Sequence, residues 1–175
     1  GVDDGSFHIL NRNGEKVRLL ADFSIKEGYN YNFSSDGREP VLFENSMLYQ
    51  GLQDGTKTWK NDIETAGGKT NIYLVDAPTL DDILSVGKME KSYNEYRNTA
   101  ETPDWLFFDG ECYWTKSIRG ENVYAVHSNT NSDNQKFLLI SPRYPNRSDY
   151  LGDIRPVLET SIYNLSSENA DVQAY

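Results

Sequence analysis

Cysteine is almost missing from this chain. Cys112 stands alone among 175 residues, so no intramolecular disulfide can form and a zinc site built on several thiolates is excluded. Basic residues are short as well: 17 Lys and Arg face 27 Asp and Glu, a formal net charge of -10. Phosphate affinity comes from clustered cations that release counterions, and docking on anionic lipid needs the same clusters. Neither nucleic acid nor membrane contact is therefore expected of this segment. Long hydrophobic runs are absent too; no stretch approaches the roughly 18 apolar residues of a membrane span. The opening Gly1-Val2-Asp3-Asp4-Gly5 has no signal-peptide character and reads as a mature boundary.

Catalytic signatures are equally sparse. The only histidines, His8 and His127, sit in strand-like segments without a HExxH pattern. No serine stands in a G-x-S-x-G elbow, and neither a phosphate-binding G-x-x-x-x-G-K-[ST] loop nor a G-x-G-x-x-G occurs. Asp81-Asp82 is accounted for by a helix start, and Asp3-Asp4 by a solvated terminus. Asp109, Glu111, Asp133 and Asp153 could supply oxygen to a hard cation, but without EF-hand spacing. No cofactor or metal is expected, and the chain reads as a non-enzyme.

What the chain has instead is rings and amides. Aromatics make up 13% of residues, with 12 Tyr, 7 Phe and 3 Trp, and Asn occurs 16 times. Disordered chains lack aromatics, so a core of rings and β-branched residues is expected. Ser6–Leu10 and 15–25 read as a hairpin around Asn13-Gly14. Tyr29 to Phe33 alternates ring and Asn at period two, which places three aromatics on one strand face. The stretch 45–68 reads as one or two short helices. Ile72-Tyr73-Leu74-Val75 reads as a buried strand. In Asp76-Ala77-Pro78-Thr79-Leu80-Asp81-Asp82-Ile83-Leu84, Thr79 is the predicted N-cap, acidic residues fill the first turn, and the helix ends near Gly87. The stretch 88–104 is polar, with room for a second short helix. Strands follow over 111–118, 123–127 and 135–141, turned by Arg119-Gly120 and by Ser128 to Asn134 (SNTNSDN); a last strand covers Asp153 to Leu158. A single domain over 1–163 with a polar tail over 164–175 is expected.

Three segments resemble, in their order, a known fold. The helix start at Ala77-Pro78-Thr79-Leu80-Asp81-Asp82, the strand Gly110-Glu111-Cys112-Tyr113-Trp114-Thr115-Lys116-Ser117, and Asp153-Ile154-Arg155-Pro156-Val157 look like the L-P-T-x-E-E, G-x-Y-W-x-x-S and V-R-P-V segments of C-type-lectin-like domains. The nearest branches are the formylglycine-generating-enzyme-like domains and related bacterial surface domains. The resemblance spans about Ile72 to Leu158. It implies an α+β fold of mostly antiparallel short strands with one or two helices packed on the sheet. The oxidising members hold copper with two cysteines, and this chain has one; Cys112 reads as a small buried hydrophobe. The sugar-binding members hold calcium through a Glu/Gln-Pro-Asn/Asp loop and a later Trp-Asn-Asp. Here Glu39-Pro40-Val41 lacks the last ligand, and Trp59-Lys60-Asn61-Asp62 is interrupted and misplaced. Trp114 is expected to fill the space between the sheet and the helix beginning at Thr79. Arg155 is expected to make a salt bridge or carbonyl contact.

Binding fits this composition better than catalysis. Flat apolar rings beside short amides suit sugars and protein partners alike. The candidate ligand-binding residues are Tyr29, Tyr31, Asn129, Asn131, Arg143 and Tyr144; the alternative is that Tyr and Asn simply solvate a β-rich surface. The expected role is an extracellular or cell-surface binding or structural domain of a bacterial protein, such as an adhesin or the soluble head of a pilus subunit. Its partner would be a protein or carbohydrate, or neighbouring subunits of an appendage. A phage-tail receptor-binding domain and an enzyme of unrecognised type are the rival readings.

Overall fold

The computed structural model describes residues 7–23, 43–53, 72–108, 112–143 and 152–164. Gly14 supplies the left-handed turn (φ +62) that the Asn13-Gly14 signal predicts, and it joins β1 (Phe7–Asn13) to β2 (Lys16–Ala21). A one-residue bulge at Leu10 lets Leu10 and Asn11 both look toward the same side, since Ile9 pairs with Leu19 and Asn11 with Arg18. The first sheet runs β1-β2-β9-β3, with β3 at Ile72–Asp76 and β9 at Val157–Ser161, and every pairing in it is antiparallel. The second sheet runs β4-β5-β8-β7-β6: β4 is Glu90–Ser92, β5 Glu95–Arg97, β6 Cys112–Arg119, β7 Asn122–Thr130 and β8 Lys136–Arg143. Among the described residues two α-helices accompany them, α1 (Met47–Gln53) and α2 (Leu80–Gly87). The expected α+β class, mostly antiparallel, is what the chain adopts. No helix among the described residues is long and apolar enough to cross a membrane.

Helix α2 begins where the cap residues dictate. Thr79 Oγ1 accepts from the Asp82 amide at 3.0 Å and Asp82 Oδ2 accepts from the Thr79 amide at 2.9 Å, a reciprocal capping box. Its Ile83 points into the main core with Leu10, Leu20 and Val157 from the first sheet and Tyr113, Val126, Leu138 and Ile140 from the second. Each such fully buried aliphatic contributes about 1.5–3 kcal/mol. A second cluster lies on the opposite face of β6 and β7, where Trp114, Val123 and Ala125 meet Leu52 of α1, Ala77 and Ile154. Gly152 permits this: a Cβ there would stand 2.7 Å from Trp114 Nε1.

Four expectations need correction. Trp114 does not fill the gap beneath α2; alternation along β6 sends Tyr113 to α2 and Trp114 to the α1 side. The stretch 88–104 holds no α-helix but a hairpin, β4–β5, followed by a short 3-10 turn at Asp104–Leu106. Tyr93 takes the left-handed position (φ 57) of its turn, and β5 is held from outside by β8, with Tyr96 paired to Ile140. Cys112 is half-buried, not buried. The last strand starts at Val157 and runs on to Ser161, because Pro156 has no amide to donate to a ladder. The expected strand over Tyr29 to Phe33 lies outside the described residues, as does the expected tail over 164–175 except for Asn164, which ends a 3-10 turn at Ile162–Asn164.

Candidate functional site

The charged side chains that face α2 are tied into one assembly. Arg18 on β2 donates to Asp82 through Nε (3.2 Å to Oδ1) and Nη2 (2.8 Å to Oδ2), a bidentate grip on the capping carboxylate of α2. Its Nη1 reaches Asp76 Oδ2 at 3.1 Å and Glu159 Oε2 at 3.5 Å. Lys116 Nζ meets the same Asp76 oxygen at 2.9 Å, and Asn11 Nδ2 donates to Asp82 Oδ1 at 2.7 Å. Burial alone would lower the Arg18 pKa, but Asp82 and Asp76 outweigh it and the shift is upward. Carboxylates engaged in this way hold two elements together.

Arg155 forms the second assembly. It is fully buried, donating from Nε to the Ala21 carbonyl at 2.9 Å and from Nη2 to the Trp105 carbonyl at 3.0 Å. Its guanidinium lies 4.9 Å from the Phe108 ring and 4.8 Å from the Tyr113 ring, a cation between two π faces. Asp22 Oδ1 is 3.4 Å from Nη2, while the other Asp22 oxygen is 3.5 Å from His8 Nε2. His8 itself stacks flat on Trp105, centroids 4.6 Å apart. Burial pushes the Tyr113 phenol up to about 12, against the opposing pull of Arg155, and its hydroxyl donates to the Leu106 carbonyl at 2.8 Å. The carbonyl contacts expected of Arg155 are present.

The third feature is the β7–β8 hairpin, and here the predicted ligand residues reappear. Residues 129–137 are all exposed. Asn131 staples the turn, its Oδ1 accepting from the Asp133 and Gln135 amides at 2.9 Å each. Asn129 faces Phe137 across the ladder, and His127 faces Leu139 on the same side of the sheet. Arg143, at the far end of β8, shares that side and donates from Nη2 to His127 Nδ1 at 3.0 Å. Asn129, Asn131 and Arg143 are thus parts of one hairpin, whereas Tyr29, Tyr31 and Tyr144 lie outside the described residues. The residues sequence reasoning missed are His127 and Phe137. Alternation gives each its strand face, but their juxtaposition with Arg143 and Asn129 depends on a register that only the folded turn defines.

This arrangement also decides what His127 can do. Cys112 is its cross-strand partner on β6, which raises the prospect of a thiol–imidazole nucleophile. Arg143 donates to Nδ1, so the neutral ring carries its proton on Nε2 and has no lone pair left to deprotonate a thiol. Burial, and then the charge of Arg143, lower the His127 pKa, keeping the ring neutral. Asp133, in the exposed turn, and Asp153, buried beside β6, stand apart. Among the described residues no group of three or more His, Cys, Asp or Glu gathers to hold a metal ion. In comparisons with protein-family models, with curated proteins and with solved structures, none matches the chain.

Proposed function

We propose that this chain is a non-catalytic binding or structural domain displayed outside a bacterial cell, an adhesin or the soluble head of a pilus subunit, on a C-type-lectin-like fold. Support for the fold comes from how the three resembling segments interlock. Ser117 Oγ accepts from the Leu80 amide at 2.8 Å, the Lys116 amide donates to the Pro78 carbonyl at 2.9 Å, and the Trp114 amide donates to the Asp153 carbonyl at 3.1 Å. Arg155 then packs on Tyr113. Support for binding rests on one observation: the exposed stretch 129–137 is held in one shape by Asn131. A turn that is ordered before its ligand arrives loses little entropy on binding. Its Asn, Thr and Ser groups and the exposed Phe137 ring suit a carbohydrate or a protein surface.

A glycan array probed with the labelled chain, followed by titration of any hit, tests this reading. Asn131→Ala removes the staple and is expected to weaken binding about tenfold, as loss of a pre-organised contact does. Unchanged affinity in Asn131→Ala and Asn129→Ala would remove the hairpin from the ligand face.

A further inference from the structure

We infer that the His127–Arg143 hydrogen bond is a latch, closed at neutral pH and released by acid, that holds the ligand face of the β7–β8 hairpin. A guanidinium only donates, so the 3.0 Å contact exists only while His127 Nδ1 keeps its lone pair. Proton uptake at Nδ1 converts the acceptor into a donor and sets two cations side by side. The bond then breaks and Arg143 must turn away. Among the described residues, the groups facing His127 on this side of the sheet are Cys112 from β6 and Leu139 and Arg143 from β8. Arg143 contributes the charge. His127 is two residues from Asn129, and Arg143 is the last residue of β8 before Tyr144. The latch therefore ties together the two strands that carry the proposed ligand residues. Burial and the guanidinium charge both hold the ring neutral below its ordinary 6.5, which sets release on the acid side of that value.

The consequence for binding rests on the proposed ligand face; the latch itself does not. Imidazole Cε1–H signals followed by NMR against pH test the latch directly, with His8→Gln leaving His127 as the single histidine signal. The His127 midpoint is expected below 6.5 and is expected to rise toward 6.5 in Arg143→Gln. Amide exchange over 129–137, corrected for its intrinsic pH dependence, should speed up about threefold or more through the same transition. A wild-type midpoint at or above 6.5, a midpoint unmoved by Arg143→Gln, or flat exchange across the transition would overturn the inference. Any glycan bound at pH 7.5 should be held more weakly at pH 5 by the wild type but equally at both by His127→Gln, whose amide oxygen accepts from Arg143 at either pH. Absence of any glycan hit counts against the proposed function alone, because titration and exchange read the latch without a ligand.

Discussion

Arg18 and Arg155 both carry a guanidinium into the interior, and they are held by opposite means. Arg18 faces three carboxylates, Asp82, Asp76 and Glu159, all within 3.5 Å. Arg155, with no exposed side-chain surface, relies on two backbone carbonyls and two ring faces, and Asp22, its one carboxylate partner among the described residues, is itself 44% exposed. Ions answer the desolvation of the first cation; dipoles and quadrupoles answer that of the second. The difference follows from what each must join. Arg18 links β2 to β3, α2 and β9, whose polar side chains point inward at one level of the sheet. Arg155 threads between chain segments that present mainly main chain and aromatics, with the half-exposed Asp22 at one edge.

Removing each arginine should therefore leave a different debris. Arg18→Met takes from the buried Asp82 its guanidinium partner, while Asp76 retains Lys116 and Glu159 retains Lys16 at 3.7 Å. Uncompensated charge of this kind costs about 3–5 kcal/mol, to be read as a shift of the urea midpoint. Arg155→Met leaves neutral carbonyls of Ala21 and Trp105 unbonded and removes the cation from over the Phe108 and Tyr113 rings, a smaller loss of about 2–4 kcal/mol. Adding Asp82→Asn to Arg18→Met should recover part of the first loss, since it removes an orphaned charge. A larger cost for Arg155 than for Arg18, or no recovery in the double variant, would break the contrast.

Tyr113 sharpens the contrast from the Arg155 side. Its phenol ionises near 10 in an unfolded chain and near 12 in the folded one, because burial outweighs the help of Arg155. Above pH 10 the unfolded state releases a proton that the folded state keeps, so stability falls as pH rises from 10 to 12. Two units correspond to about 2–3 kcal/mol. Thermal melts of wild type and Tyr113→Phe across this range should show a larger loss in the wild type, the difference being the part due to Tyr113. The variant gives up its hydrogen bond to Leu106 at neutral pH, about 1 kcal/mol.

Little of this contrast is legible in the sequence, although much of the frame is. The capping box at Thr79 could be read because its signals are local: a hydroxyl, then a carboxylate three residues on. The turns at Gly14 and Gly120 announce themselves through glycine at positive φ. What Asp82 does besides capping could not be read, because its partner Arg18 lies 64 residues away. The β4–β5 hairpin escaped because Tyr93-Asn94 lacks the glycine expected of a tight turn, and its short strands owe their pairing to β8. Period two correctly places Tyr113 and Trp114 on opposite faces, but nothing local says which face meets α2. In the β7–β8 hairpin the polar turn is legible and the His127–Arg143 contact is not, since a residue more or less in the turn would separate them.

The smallest expected effect is the most discriminating. Asp22 offers Arg155 its only described carboxylate, at 3.4 Å, and bridges to His8. If Arg155 were held as Arg18 is, Asp22→Asn would cost as much as removing a partner from a buried pair. The exposure of Asp22 lets water screen the contact, and the carbonyls and rings remain, so Asp22→Asn is expected to cost no more than about 1 kcal/mol. Asp82→Asn, which keeps the geometry of the cap while withdrawing charge from Arg18, should cost clearly more under the same denaturant titration. Equal losses would mean that Arg155, despite its rings, is stabilised mainly by an ion pair.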